Sequence, residues 1–67
     1  MGFRPIFIFD DGERAGNAEV YATEAEAMNS ALARFQVWIM PCDYDAEEID
    51  APVNYRWNIK THRGEPI

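Results

Sequence analysis

Apolar and polar positions alternate most cleanly over residues 53–60. Val53, Tyr55, Trp57 and Ile59 fall on one side of an extended chain, and Asn54, Arg56, Asn58 and Lys60 on the other. A period of two predicts a half-buried strand. Residues 5–9 are apolar without interruption (Pro5, Ile6, Phe7, Ile8, Phe9), which predicts a strand at least partly covered on both faces. Pro5 is tolerated at its start, where no ladder donor is needed. Asp10, Asp11 and Gly12 signal a turn, as do Gly16 and Asn17. Residues 18–22 are expected to return as a second strand. Another extended segment, 43–49, sets Tyr44 and Ala46 against Asp43, Asp45 and Glu47, and a turn at 50–52 separates it from the strand at 53–60.

Between the two strand pairs the period changes. Thr23 followed by Glu26 forms a capping box, and Glu24 and Glu26 suit the positive end of a helix dipole. At 100° per residue, Ala25, Met28, Leu32, Phe35 and Ile39 form one stripe, with Ala31 and Trp38 on its flank. Glu26, Ser30, Ala33 and Val37 point away. Pro41 is expected to close the helix near Ile39 or Met40. The order is ββαββ, an α+β domain in which one amphipathic helix covers a face of a small antiparallel sheet. One domain spans residues 1–67, with 1–4 and 61–67 expected to fray.

Sixty-seven residues leave a small core, and domains of this size bury only about 60% of the surface that the unfolded chain exposes. Cys42 is the only cysteine, so no internal disulfide can compensate. Nine aromatic side chains can, since each buries about 150–250 Å². Twelve acids against six bases give a formal charge of −6. That excess disfavours direct nucleic-acid binding, which needs cations, and favours partners with a basic surface. No apolar run is long enough to span a membrane. The apolar N-terminal stretch is too short for a signal core, so the expected location is cytoplasmic, the host cytoplasm if the protein is viral.

The acids are not evenly spread. Asp43, Asp45, Glu47, Glu48 and Asp50 place five carboxylates within eight residues. In an extended chain Asp43, Asp45 and Glu47 share a face at intervals of about 6.6–6.8 Å. Such a row can imitate nucleic-acid phosphates and attract a Lys- and Arg-rich surface. A charged edge strand that resists aggregation explains the same residues. Asp10, Asp11 and Glu19 are secondary candidates if the first hairpin lies alongside. As an EF-hand loop the segment fails, with Glu48 where glycine is needed and Asn54 in place of the bidentate Glu. No metal or cofactor is expected.

Cys42 and His62 are the only candidates for a thiol–imidazole pair. Cys42 follows a helix C-terminus, whose negative end opposes thiolate formation. No enzymatic activity is expected. Arg56 and Lys60 lie near Tyr55 and Trp57, an arrangement that can bind single strands, but on opposite faces; the aromatics read as core. Arg34, Val37, Trp38 and Met40 form a second candidate patch, for a partner or a homodimer, because Trp and Arg dominate interface hot spots.

The stretch from Glu19 through Val20, Tyr21, Ala22, Thr23, Glu24, Ala25 and Glu26 to Ala27, leading to Phe35 and Trp38, and the later run Asp50–Trp57 resemble small orphan proteins of bacteriophages and mobile elements. The likeness covers about half the chain and lies in structural motifs. It implies a non-enzymatic inhibitor that binds a host nucleic-acid-handling protein, in the manner of anti-CRISPR proteins. No individual functional residue is carried over. A structural or assembly module that docks through its helix is the alternative.

Overall fold

The computed structural model describes residues 1–37 and 41–67. Trp38, Ile39 and Met40, and with them part of the second candidate patch, lie outside the described residues. Five strands and one helix follow in the order β1 (Gly2–Ile8), β2 (Arg14–Gly16), α1 (Glu24–Phe35), β3 (Asp43–Ile49), β4 (Tyr55–Asn58) and β5 (Arg63–Pro66). The class is α+β and the order ββαββ holds, with a fifth strand appended.

The uninterrupted apolar run becomes the central strand of a three-stranded antiparallel sheet, ordered β2-β1-β3. Ile6 and Phe7 point to opposite faces, yet both are buried, which is why the run lacks alternation. Gly12 makes the hairpin turn with a positive φ of 86°, and its N–H donates to the Phe9 carbonyl at 2.9 Å. The return strand is Arg14–Gly16, not 18–22.

Residues 17–22 leave the ladder, and only Tyr21 rejoins it. Phe3 and Tyr21 exchange both backbone hydrogen bonds, at 2.8 and 2.7 Å. Pro5, two residues beyond Phe3, directs its donorless nitrogen to the same side. There β2 has ended and Tyr21 has passed. The proline is accommodated because the gap in the neighbouring edge coincides with it.

β3 pairs with β1 in register from Gly2↔Ile49 to Ile8↔Asp43. It does not pair with the strand that follows the turn at 50–52, although the sequence sets those two segments side by side as the second strand pair. β4 pairs instead with β5, making a separate two-stranded sheet. Both termini expected to fray are therefore paired strands. Ile59, assigned by alternation to the apolar face, falls in the β4–β5 turn and is 76% exposed. Asn58 nucleates that turn: its side-chain oxygen accepts from Lys60 N at 2.9 Å and Thr61 N at 3.3 Å, an Asx turn.

Asn54 and Tyr21 join the two sheets. The Asn54 side chain accepts from Val20 N at 2.7 Å and donates to the Ala18 carbonyl at 2.9 Å. The Val20 carbonyl in turn accepts from the Asn54 and Tyr55 amides. Tyr21 is fully buried, its ring tilted against Tyr55 with centroids 6.1 Å apart. β5 passes directly over the Tyr21 hydroxyl at Gly64, where a Cβ would collide with that oxygen.

The helix starts as expected. Thr23 caps it by accepting from Glu26 N at 3.2 Å. Glu26 does not reciprocate to the Thr23 backbone. Its carboxylate accepts from the Thr23 hydroxyl at 3.0 Å and from Trp57 N at 3.0 Å, tying the helix start to β4. The helix ends at Phe35 in a tightened turn where Val37 N donates to the Arg34 carbonyl; the expected end near Ile39 or Met40 lies outside the described residues. Its buried face is Ala27, Ser30 and Ala31, rotated from the expected Ala25–Met28–Leu32 stripe by ~140° at ~100° per residue. Small side chains let the helix approach closely, and the Ser30 hydroxyl finds partners inside. Phe35 still turns toward the main sheet, its ring 5.1 Å from that of Tyr44.

Candidate binding surfaces

β3 is an edge strand. Directly paired residues share a face, so Asp43, Asp45 and Glu47 lie on the side of Ile8, Ile6 and Arg4. The shared face expected from the sequence is present, but the five carboxylates do not form one row. Glu47 is engaged by Arg4, whose Nε and Nη2 donate to one carboxylate oxygen at 3.0 and 2.8 Å. Glu48 sits on the opposite face. Asp50 lies in the bend after the strand. Asp43, Asp45, Glu48 and Asp50 are exposed, and no ion pair engages them among the described residues.

Asp43 and Asp45 also cover the edge. The carboxylate of each accepts from the next residue's backbone N–H, Tyr44 N and Ala46 N, at 2.8 Å. Those residues oppose Phe7 and the donorless Pro5, so their N–H groups point away from the sheet. The strand thus occupies two of its outward donors with its own side chains, a device that discourages pairing with another strand.

Of the secondary candidates, Asp10 and Asp11 are in the exposed β1–β2 turn. That turn lies beyond the end of β1 at which β3 starts, since Ile8 pairs with Asp43. Glu19 belongs elsewhere: it is the hub of a polar cluster under the helix. Its Oε1 accepts from the Tyr21 hydroxyl at 2.9 Å and the Ser30 hydroxyl at 3.2 Å, and its Oε2 from Arg34 Nη2 at 2.8 Å. Burial pushes the Tyr21 hydroxyl from 10.0 up to about 12; its Ser30 hydrogen bond opposes the rise and the Glu19 carboxylate adds to it.

That cluster forms one wall of a cleft that the sequence did not reveal. A cavity of about 320 Å³ opens between α1 and the β4–β5 pair, lined by Glu19, Ser30, Arg34, Trp57, His62 and Arg63 among others. Trp57 continues along two adjoining cavities of about 240 and 400 Å³. It is half-buried and lines all three cavities, so it serves the groove and not the core alone. Reading residues 61–67 as a frayed tail hid this site, because His62 and Arg63 reach it only through β5. The spacing of Ser30 and Arg34, one helical turn apart, was the one available signal.

Of the helix patch, Arg34 is committed to Glu19 and lines the cleft, while Val37 is 83% exposed. Cys42 is exposed. Among the described residues no three His, Cys, Asp or Glu side chains gather as metal ligands would, and no helix is long and apolar enough to cross a membrane. Comparison with protein-family models, with curated proteins and with solved structures returned no match.

Proposed function

We propose that this domain is a non-enzymatic binding protein that docks the β3 edge onto the basic surface of a protein that handles nucleic acid. The observation that carries the reading is the set of exposed carboxylates on one edge strand and the bend that follows it, Asp43, Asp45, Glu48 and Asp50, without a cation to neutralise them among the described residues. Surfaces of one sign steer and select partners of the other. Glu47 contributes less, because Arg4 already occupies it. With the likeness to phage orphan proteins, this becomes an inhibitor that takes the place of nucleic acid on a host protein in the host cytoplasm.

The test replaces Asp43 and Asp45 by Asn and Glu48 by Gln, leaving the Arg4–Glu47 pair intact. Partners are captured from a bacterial lysate with the original and the neutralised chain, at low and high salt. A partner that salt and added duplex DNA both release, and that the neutralised chain does not hold, supports the reading. Equal capture by both chains, indifferent to salt, refutes it.

A second reading rests on apolar exposure. Val37 and Ile59 are 83% and 76% exposed, which suits an assembly module that dimerises through the helix end. A sedimentation coefficient that does not change with concentration removes it.

A further inference from the structure

The cleft between α1 and the β4–β5 hairpin gathers cations on a molecule of net charge −6. Arg34 on the helix and Arg63 on β5 line the same cavity, and His62 joins them. The single carboxylate there, Glu19, is consumed by holding Arg34, Tyr21 and Ser30. Only one nitrogen of Arg34 is used by Glu19, and a guanidinium has five N–H donors. Arg63 has no ion-pair partner among the described residues. Two guanidinium groups on facing walls are suited to grip one phosphate. The half-buried indole of Trp57 lies between them and the adjoining groove, as a platform for a planar ring.

We propose that this cleft binds a mononucleotide, with the phosphate between Arg34 and Arg63 and the base against Trp57. The volume of about 320 Å³ stands at the small end of ligand pockets, about 300–1,000 Å³, which admits one nucleotide. A chain of charge −6 is a poor track for a longer phosphate backbone. The site is separate from the β3 edge, and neither proposal depends on the other.

The intact chain is titrated calorimetrically with adenosine monophosphate, adenosine, inorganic phosphate and an end-phosphorylated oligonucleotide. Saturable binding of the monophosphate tighter than about 1 mM is expected, with adenosine and inorganic phosphate each at least about tenfold weaker. Arg63→Ala is expected to lower the affinity about tenfold, and Trp57→Phe to lower it less. Amide and indole shifts in the unmodified protein provide a check that needs no variant. They should cluster at Trp57, Arg34 and Arg63. Absence of saturable binding, equal affinity for adenosine, preference for the oligonucleotide, or shifts centred elsewhere would each overturn the proposal.

Discussion

Substituting Gly64 by Ala tests whether the C-terminal strand is truly docked on the core. The new Cβ would collide with the Tyr21 hydroxyl, approach Tyr21 Cζ to 3.2 Å and meet Tyr55 Cδ2 at 3.4 Å. Forcing an extra carbon into packed space costs about 1–3 kcal/mol. Against this, alanine in a strand recovers about 0.5–1 kcal/mol of the conformational entropy that glycine loses on folding. The net expectation is about 1–2 kcal/mol of destabilisation. The whole domain has roughly 3–10 kcal/mol, from about 0.05–0.15 per residue, so the loss should be plain in a urea titration followed by circular dichroism. In thermal melts it corresponds to roughly 5–15 °C.

The decisive comparison is the double variant. Tyr21→Phe alone removes a hydrogen-bonded hydroxyl and should cost about 1 kcal/mol, because Ser30 and Glu19 still bond each other at 3.2 Å. It also removes the atom that the new methyl group would strike. On the Phe background, Gly64→Ala should then cost close to nothing, giving a coupling of about 1–2 kcal/mol between the two sites. Strictly additive effects, or a stabilising Gly64→Ala in the original background, would show that β5 does not lie over Tyr21 and would refute the two-sheet packing.

Raising the pH should destabilise the domain through Tyr21. The folded state holds this proton more tightly, since the hydroxyl moves from 10.0 to about 12. The contribution is whole below pH 10.0 and is lost as the pH climbs to about 12, roughly 3 kcal/mol in all; the stability of the original chain should fall to that of Tyr21→Phe and cross below it within that window, read by alkaline denaturation of both. Glu26→Ala should cost about 1.5–3 kcal/mol in urea titrations, more than a cap residue alone, because the Trp57 amide loses a charged acceptor along with the Thr23 hydroxyl. Arg4→Met should change stability by no more than about 1 kcal/mol, since both partners of its ion pair are more than a third exposed. The triple replacement of Asp43, Asp45 and Glu48 should leave the melting temperature within a few degrees; greater self-association by light scattering would assign these charges to edge protection, and loss of partner capture to docking.

The elements that local rules govern were legible without the fold. An apolar run too dense to alternate became the buried central strand, Gly12 supplied the turn, Thr23 capped the helix, and the alternation of residues 43–49 set the side of each carboxylate. All of these depend on neighbours within a few positions, where sterics and hydrogen-bond geometry leave few choices. Beyond the β1–β2 hairpin the partner of each strand was not legible, because pairing is decided by which distant edge remains open. β3 joined β1, leaving β4 to take the C-terminal residues as its mate.

The helix face was misjudged for a related reason. Periodicity counts apolar area, whereas Ala27, Ser30 and Ala31 were buried because small residues permit close approach and because Tyr21 and Glu19, from a remote segment, satisfied the serine.

For function, the sequence alone determined the charge: its sign and its concentration at 43–50. Tertiary structure decided which charges remain available. It committed Glu47 to Arg4 and Glu19 to Arg34, left Asp43, Asp45, Glu48 and Asp50 without cationic partners among the described residues, and carried Arg63 and His62 to Trp57. Local composition fixes how much charge a segment carries. Whether that charge faces a partner, an ion-pair mate or a cleft depends on contacts between residues distant along the chain.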